Sequence, residues 1–486
     1  MTTSTDITLP RGLLIGGDLV TRSSGGMHDH IYPATGRPNA TIPLAGATEI
    51  DQAVDAAWTA HREWMTFTPA RRRDLLVALA DAVHENLPEF AQLNTLDYAV
   101  PVSYAATAPL LEEFIRHFAG YVDKPHGSST PVSGSFDVNL IEREPYGVVG
   151  VIAPWNGSLV VSASCVVPAL AAGNAVVLKP SELAPFAALR FGELCVRVGL
   201  PAGLVNVLPA GAEGGDALVR HPGVRKVHFT GGTDTARTVL RAAATNLTPV
   251  VAELGGKSAN IVFGDADLDI AAAISGHQGP LMQAGQSCAC ASRVLVQSSV
   301  YDAFLDKFVA TVATATIGDP LDPTVSYGPV ISESAANRIL RDIDDAVTQG
   351  AGELVLGGKR IGGALSDGYY IEPTVFTGVD NSSALAQTET FGPVVAVIRF
   401  DTEEEAIRIA NDTRYGLNAF VHSNDLSRAH RVARTLEAGS VWVNHFSDIS
   451  PQGPYGGYKQ SGFGRTGGLE GLQEFLQVKN IRIAMR

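Results

Sequence analysis

Residues 147–179 read GVVGVIAPWNGSLVVSASCVVPALAAGNAVVLK, and this stretch decides the fold class. Two short apolar runs, Gly147–Ala153 and Ala175–Leu178, predict buried strands, and Leu159–Ala172 between them predicts a helix. Strands joined in this way form a right-handed crossover within a parallel sheet. The segment from Pro145 to Leu178 carries no formal charge and is long enough to cross a membrane. However, its prolines, glycines and asparagines divide it into short elements, so we predict no membrane insertion.

The alternation of strands and helices continues beyond this stretch and restarts after Gly255–Gly256. The chain is therefore predicted to be α/β, with a parallel sheet followed by a second α/β domain. Helices are predicted over Thr48–Gly120, and a terminal strand over Leu476–Arg486 is expected to pair with Phe136–Glu144 or with another subunit. The further predicted strands are Val205–Leu208, Lys226–Thr230, Ser258–Phe263, Arg293–Gln297, Val394–Phe400, Asn418–Val421 and Ser440–Val443, and the further helices are Pro185–Val198, Glu213–Arg220, one from Thr233, Leu268–Ser275, Tyr301–Ala313, Glu403–Ile409 and Leu426–Thr435.

Length and composition narrow the class of protein. A chain of 486 residues exceeds the ~250–300 residues at which a single core stops growing, so two or three domains are expected. Its net charge of −14, from 36 Lys and Arg against 50 Asp and Glu, argues against a nucleic-acid binder. The 4 cysteines are too few for a disulfide scaffold, and residues 1–12 hold no apolar secretory segment. We therefore expect a cytoplasmic protein with free thiols and without a metal site.

Two turns at the ends of predicted strands could bind a nucleotide. In Phe229–Thr233 (FTGGT) two glycines lead from a strand into a helix, so bare backbone N–H groups could face a pyrophosphate. In Lys179-Pro180-Ser181-Glu182 a lysine and a carboxylate could hold ribose hydroxyls. The alternatives are a turn that needs glycine for geometry only, and a solvated loop with Ser181 as a helix N-cap. A literal G-x-G-x-x-G at Gly462, Gly464 and Gly467 is rejected, because no strand leads into it and too little chain follows.

Three side chains near the ends of predicted elements could carry out chemistry. Cys288 lies among small residues in GQSCACA (285–291), where a thiolate could act as a nucleophile. Glu253 ends a buried apolar run, so its pKa is expected to be raised toward that of a general base unless the carboxylate pairs with Lys257. Asn156 follows a buried strand, and its amide could either donate to an oxyanion or cap its own turn.

Seven motifs occur in a fixed order along nearly the whole chain. They are Pro154-Trp155-Asn156, Lys179-Pro180-Ser181-Glu182, Phe229-Thr230-Gly231, Glu253-Leu254-Gly255-Gly256-Lys257, Gly285-Gln286-Ser287-Cys288, Glu389-Thr390-Phe391-Gly392-Pro393 and Pro454-Tyr455-Gly456-Gly457. From Leu14 to the C-terminus the sequence resembles the aldehyde dehydrogenase superfamily, and among its classes the NAD(P)-dependent, non-acylating one. An ordered set of this size is too specific to arise by chance.

The resemblance implies a division of the chain and a set of roles. A Rossmann-like cofactor domain would comprise residues 1–128 and 147–253, an α/β catalytic domain residues 254–459, and a small β oligomerisation arm residues 129–146 and 460–486. Such arms join subunits, so a homo-oligomer, either dimer or tetramer, is implied. Cys288 would be the nucleophile, Glu253 the general base, and Asn156 with the backbone N–H of Cys288 the oxyanion hole.

The resemblance also implies a dinucleotide cofactor, which is NAD, with NADP left open. Its contacts would be Trp155, Lys179, Ser181, Glu182, Gly231, Gly232, Leu254, Glu389 and Phe391. Lys179 and Glu182 would hold the adenosine ribose, the two glycines the pyrophosphate, and Glu389 the nicotinamide ribose. The carboxylate of Glu182 favours NAD, because it would repel a 2′-phosphate.

The chain departs from the common family pattern at several positions, and these departures bear on the substrate. Five positions differ from the residue that is common in the family: Asn is common at Gln283, Gly at Ala236, an aromatic residue at Gly157, Pro at Ser158 and Phe at Tyr455. In addition, Val161 and Ser164 stand where some members have larger side chains. Fewer bulky groups near the entrance imply a wider tunnel. We therefore expect a bulky or hydrophobic aldehyde, aromatic or terpenoid-like, rather than acetaldehyde.

Three other functions fit the sequence less well. A CoA-acylating semialdehyde dehydrogenase of the same fold would lack the glutamate that stands at Glu253. A catalytically silent binding protein would have no need of a nucleophile, a base and an oxyanion donor together. A thiol hydrolase without a nucleotide would leave Lys179, Glu182, Glu389 and Phe391 unexplained.

Overall fold

The structure is a computed structural model and describes residues 7–104, 107–131 and 137–484. The strands are β1 (Leu13–Ile15), β2 (Asp18–Val20), β3 (Met27–Tyr32), β4 (Arg37–Pro43), β5 (Ser128–Ser129), β6 (Val138–Pro145), β7 (Val148–Ile152), β8 (Ala175–Lys179), β9 (Val205–Val207), β10 (Lys226–Thr230), β11 (Val250–Glu253), β12 (Ala259–Val262), β13 (Arg293–Gln297), β14 (Glu353–Leu356), β15 (Thr374–Thr377), β16 (Val394–Phe400), β17 (Asn418–His422), β18 (Ser440–Val443), β19 (Gly462–Phe463) and β20 (Leu476–Ile483). The helices are α1 (Ala47–Thr66), α2 (Pro69–Glu85), α3 (Leu87–Tyr98), α4 (Thr107–Ala119), α5 (Ser158–Val161), α6 (Val167–Ala171), α7 (Phe186–Arg197), α8 (Ala212–Arg220), α9 (Thr233–Ala243), α10 (Leu268–Gln278), α11 (Tyr301–Val312), α12 (Glu333–Thr348), α13 (Ala384–Gln387), α14 (Glu403–Asn411), α15 (Leu426–Thr435) and α16 (Gly468–Gln473).

The first sheet has eight strands in the order β19-β11-β10-β7-β8-β9-β1-β2. Its five central strands, from β11 to β9, are parallel, and helices α1, α6, α7, α8 and α9 pack against this sheet. Every residue of β7 and β8 is buried, which explains why the sequence there shows continuous apolar runs instead of alternation. The α/β class predicted from residues 147–179 is confirmed.

The helix predicted between β7 and β8 is present but is not regular. A π-helical segment, Ser162–Val166, separates α5 from α6. Pro168 follows it and has no N–H to donate to the carbonyl four residues back, so the normal ladder is interrupted at this point.

The second sheet has seven strands in the order β14-β15-β16-β13-β12-β17-β18, and all neighbours except β14 and β15 are parallel. This sheet is the second α/β unit that the sequence predicted after Gly255–Gly256. Helix α12 and strands β14 and β15 belong to it, although the sequence reasoning did not predict them.

The C-terminal strand β20 pairs with β6 in a three-stranded antiparallel sheet of order β20-β6-β5. The register runs from Leu476 opposite Pro145 to Ile483 opposite Val138, so the predicted pairing forms within the chain. Phe136, the first residue of one predicted strand, and Met485 and Arg486, the last two of the predicted C-terminal strand, lie outside the described residues. Gly462, the first glycine of the rejected nucleotide motif, lies in β19 and pairs antiparallel with β11.

Across residues 7–104, 107–131 and 137–484, no helix combines the length and the apolar character that a membrane crossing needs. In the same part of the chain, no group of three or more His, Cys, Asp or Glu side chains is placed to bind a metal ion.

Candidate active site

The carboxyl ends of β7, β8, β10 and β11 lie side by side along one edge of the first sheet. Lys179 is the last residue of β8 and Glu253 the last residue of β11. Asn156 lies in a short 3-10 turn, Trp155–Gly157, that follows β7. Because ligands of open α/β sheets bind beyond the carboxyl ends of the strands, these side chains lie where a ligand is expected.

A cleft of about 480 Å³ opens at this edge, and residues of the second unit complete its wall. All the site residues predicted from the sequence line this one cleft: Trp155, Asn156, Lys179, Ser181, Glu182, Gly231, Gly232, Glu253, Leu254, Cys288, Glu389 and Phe391. The sequence reasoning missed Gly211, Ala212 and Thr235, which also line it. Gly211 and Ala212 come shortly after β9, so the rule that sites follow strand ends could have found them.

Cys288 is half-buried in the loop before β13, with its sulfur facing Tyr455. Burial raises the pKa of its thiol to about 11, and the Glu389 and Glu253 carboxylates act in the same direction. The hydroxyl of Tyr455 lies 3.9 Å from the sulfur and lowers the pKa of the thiol. The resting thiol is therefore protonated at neutral pH, and its activation depends on nearby hydrogen-bond donors.

The loop that carries Cys288 has a strained backbone. Gln283, Ala284 and Gly285 are consecutive left-handed residues, with φ of 51°, 53° and 71°. The side chain of Gln286 holds this turn, because its Nε2 donates to the Gln283 carbonyl at 2.9 Å and its Oε1 accepts from the Ile331 N–H at 2.8 Å. Asn, which is common in the family at this position, tolerates the left-handed region better than Gln does. Gln283 therefore has a conformational cost.

Glu253 is a buried carboxylate whose two oxygens have no hydrogen-bond partner within the described residues. Only 5% of the residue is exposed. Burial raises the pKa of this carboxyl well above its usual range, and Arg465 opposes the rise. The alternative of a salt bridge to Lys257 is wrong, because that ammonium interacts with Glu389 and Asp342 instead. A carboxyl with a raised pKa and free oxygens can accept a proton from water near neutral pH.

Asn156 does not cap its own turn. Its Nδ2 donates to the backbone carbonyl of Gln286 at 2.9 Å, across 130 residues of sequence. An amide nitrogen carries two protons, so a second N–H remains for a ligand atom beside Cys288. This is the arrangement that an oxyanion donor needs.

The glycine turn between β10 and α9 is open toward the cleft. The N–H of Gly231 donates to the Glu253 carbonyl at 3.0 Å, which fixes the turn. Gly232 is the N-cap of α9 and offers no side chain to the helix, and a Cβ placed there would meet nothing within 4 Å. Bare N–H groups of a helix N-terminus therefore face open space, as a phosphate site requires.

Lys179 and Glu182 line the same cleft beyond β8. Burial lowers the pKa of the Lys179 ammonium, and the nearby Glu182 opposes this. The hydroxyl of Ser181 donates to Glu182 Oε2 at 3.3 Å and accepts from the N–H of Leu183 at 3.2 Å. The alternative in which Ser181 caps a helix is wrong, because α7 begins later, at Phe186.

Glu389 and Phe391 come from the loop before β16. Glu389 Oε1 accepts from the N–H of Gly256 at 3.0 Å, and a Cβ on Gly255 would lie 1.9 Å from the other carboxylate oxygen. The absence of a side chain at Gly255 therefore leaves the space that the Glu389 carboxylate occupies. Phe391 has a left-handed φ of 47°, and its ring stands at 89° to that of Trp155 with centroids 5.7 Å apart.

Comparison with known proteins gives one consistent result. The profile of the aldehyde dehydrogenase family matches residues 20–481. An aldehyde dehydrogenase of Enchytraeus buchholzi is 40% identical over 97% of this chain and 95% of its own length. The mitochondrial aldehyde dehydrogenase family 2 member B4 of Arabidopsis thaliana is 40% identical over 97% of this chain and 88% of its own. The crystal structure of betaine aldehyde dehydrogenase from Staphylococcus aureus, in complex with NAD⁺, superimposes with a TM-score of 0.94 at 38% identity and covers 98% of this chain and 94% of that one.

Proposed function

The chain belongs to the aldehyde dehydrogenase family, and from that premise we propose that it oxidises an aldehyde to a carboxylic acid through Cys288, with NAD as the hydride acceptor. One observation carries the proposal: the sulfur, a carboxylate with unpaired oxygens and a free amide N–H line the same cleft as a bare helix N-terminus. These groups are the nucleophile, the base, the oxyanion donor and the phosphate cradle of the reaction.

The residues present fit a dinucleotide. The open N-terminus of α9 would hold the pyrophosphate, and Lys179 with Glu182 would hold the adenosine ribose, while Trp155, Ser181 and Leu254 line the remaining walls. Glu389 would hold the second ribose, and the ring of Phe391 would position the nicotinamide. When bound, NAD accepts a hydride ion from the substrate carbon. The Staphylococcus aureus relative was crystallised with NAD⁺, which supports this choice.

In the proposed reaction, each step is assigned to a residue of the cleft. The thiolate of Cys288 adds to the carbonyl carbon, and the oxygen gains a negative charge. The free N–H of Asn156 and the backbone N–H of Cys288 would stabilise that charge, at roughly 3–4 kcal/mol for one such donor. Loss of hydride leaves a thioester on Cys288. Glu253 takes a proton from water, and the hydroxide adds to the thioester carbon. The carbon–sulfur bond then breaks, Cys288 leaves as a thiolate that regains the proton from Glu253, and the carboxylic acid is released.

We propose that the substrate is a bulky or hydrophobic aldehyde, aromatic or terpenoid-like. At Gly157, where an aromatic residue is common in the family, an added Cβ would meet only the Cβ of Val160, at 3.7 Å. The φ of Gly157 lies close to ±180°, a value that any residue can adopt, so the backbone does not require glycine here. The missing side chain therefore leaves room at this position.

We expect an aldehyde panel, assayed by NADH absorbance, to give aromatic and long-chain aldehydes a kcat/KM at least about tenfold above that of acetaldehyde, because each extra methylene in an apolar pocket contributes ~1–3 kcal/mol. NADP run in parallel should be the poorer cofactor, since Glu182 repels a 2′-phosphate. Gly157→Phe is the matched variant, and it should lower the rate with bulky aldehydes more than that with acetaldehyde. If acetaldehyde outperforms every larger substrate, the proposed substrate class is wrong.

We also propose that the chain forms a homo-oligomer through an arm built from β6 and β20, following the implied division into cofactor domain, catalytic domain and arm. In the sheet order β20-β6-β5, strand β20 is an outer strand, and β18 is an outer strand of the second sheet. An eight-residue outer strand with exposed apolar side chains is a template for pairing with another chain.

All 4 cysteines are free, which supports the proposal of a reducing, cytoplasmic compartment.

Sedimentation of the wild-type chain is expected to show a dimer or tetramer, and the double variant Val478→Lys/Ile483→Lys should shift it toward monomer. These β20 side chains are 63% and 47% exposed, so charges there disrupt pairing between chains without disturbing the fold of one chain. Leu426→Lys, on an exposed residue of α15, is the control and should keep the wild-type mass. A wild-type monomer at micromolar concentration would contradict the proposal.

A further inference from the structure

A hydrogen-bonded pair lies behind the sulfur of Cys288. The Nδ2 of Asn418 donates to the Tyr455 hydroxyl oxygen at 3.1 Å, and that oxygen lies 3.9 Å from Cys288 Sγ. Asn418 is buried at the start of β17. The backbone of Tyr455 is fixed by two hydrogen bonds with Thr466, of 2.7 and 2.8 Å, in an antiparallel bridge. Thr466 therefore fixes the backbone of Tyr455 and Asn418 fixes its hydroxyl oxygen, which places the hydroxyl beside the sulfur.

The donor at each contact can be assigned. Because the Asn418 amide donates to the hydroxyl oxygen, the Tyr455 proton is not needed for that contact and is free to point toward the sulfur. Burial raises the pKa of Tyr455 well above its usual range, so the hydroxyl keeps its proton at any pH of interest. A hydrogen bond to an ionised acceptor is shorter and about twice as strong as one between neutral groups, so the contact gains most when the thiol is ionised.

The other charged groups near the sulfur act against its ionisation. Glu253 and Glu389 are both acidic and both raise the pKa of Cys288, and the thiol of Cys290 lies close enough to interact with it. Tyr455 acts in the opposite direction. A phenylalanine, which is common in the family at this position, has no hydroxyl and cannot make this bond.

We propose that Tyr455 is a catalytic residue that donates a hydrogen bond to the Cys288 thiolate, and that Asn418 is the positioning residue that orients it. The proposal rests on the proposed function only in taking Cys288 as the nucleophile. The hydroxyl would stabilise the thiolate before it adds to the aldehyde and would again stabilise it as the leaving group when the thioester is hydrolysed.

The test is the pH profile of Cys288 alkylation by iodoacetamide on the full chain, with fragment mass spectra to separate Cys288 from Cys290. Tyr455→Phe should move the midpoint up by about one pH unit, which is about tenfold less thiolate at neutral pH. Tyr458→Phe, an exposed tyrosine three residues along the chain, should leave the midpoint unchanged. An unchanged or lowered midpoint in Tyr455→Phe would overturn the proposal.

A double-mutant cycle tests the role of Asn418. Asn418→Ala alone should raise the midpoint by less than Tyr455→Phe does, and the double variant should match Tyr455→Phe, because both substitutions act through one hydrogen bond. Additive shifts would overturn the role of Asn418 as a positioning residue. Alkylation is measured without aldehyde or NAD, so its outcome is independent of whether the chain oxidises aldehydes. Aldehyde oxidation is tested separately, by the kinetics of Cys288→Ala.

Discussion

Replacing Cys288 with alanine is expected to lower kcat/KM for aldehyde oxidation at least about 10⁴-fold, or about 5 kcal/mol of transition-state stabilisation. The reason is covalent: without the sulfur, no thiohemiacetal forms from which hydride can leave. Binding of NAD should be preserved, because the predicted nucleotide contacts are spread over Lys179, Glu182, Glu389 and the N-terminus of α9.

The measurement combines initial rates with calorimetry of NAD binding. Cys195→Ala is the matched control, since Cys195 is a free, buried thiol on α7 that does not line the cleft. It should keep wild-type kinetics. Wild-type turnover in Cys288→Ala would overturn the proposed function, and acyl-CoA formation by the wild type on addition of CoA would assign it to the acylating class. Loss of NAD binding together with turnover would contradict the assignment of the cleft to a dinucleotide.

Much of the site could be predicted from sequence because it obeys one geometric rule. Parallel strands end on the same edge of a sheet, so Asn156, Lys179, Gly231 and Glu253 come together without any knowledge of long-range contacts. The placement of Cys288 and Glu389 on the same cleft followed from the resemblance and not from this rule.

Contacts that depend on tertiary placement could not be predicted. The partner of Asn156 is a backbone carbonyl 130 residues away. The carboxylate of Glu253 has no hydrogen-bond partner within the described residues, although Lys257 is only four positions along the chain. The N–H of Gly256 donates to Glu389, and the Lys257 ammonium interacts with the charges of Glu389 and Asp342. Nothing in local sequence distinguishes these outcomes.

Other elements that the sequence analysis did not predict have a clear local signal. Leu13–Ile15 and Asp18–Val20 flank Gly16-Gly17, and both glycines have positive φ. Two glycines between short apolar runs indicate a two-residue hairpin. Likewise, the buried positions of α12 follow a helical spacing of three and four residues: Ala336, Ile339, Ile343 and Ala346.

Glu253→Gln is expected to slow steady-state turnover about 10²- to 10⁴-fold, the usual contribution of a general base. The amide is nearly the same size, so the thiol can still attack and hydride can still leave, and the first turnover should produce a burst of NADH. Hydrolysis of the thioester then has no base, and the acylated chain should accumulate. Stopped-flow absorbance with intact-mass measurement would detect both. Glu470→Gln, on an exposed carboxylate of α16, should behave as wild type.

The pH dependence gives the same residue a second test with a definite sign. Glu253 accepts a proton only as the carboxylate, and burial raises the pKa of this carboxyl well above its usual range. Wild-type turnover should therefore fall as the pH drops through that raised pKa, with a midpoint above the ~4.3 of an ordinary glutamate. In Glu253→Gln this acid limb should be absent, because no group with that pKa remains. If the limb persists in this variant, another group causes it and Glu253 is not the base for thioester hydrolysis. If the burst falls together with the steady state, Glu253 acts before hydride transfer.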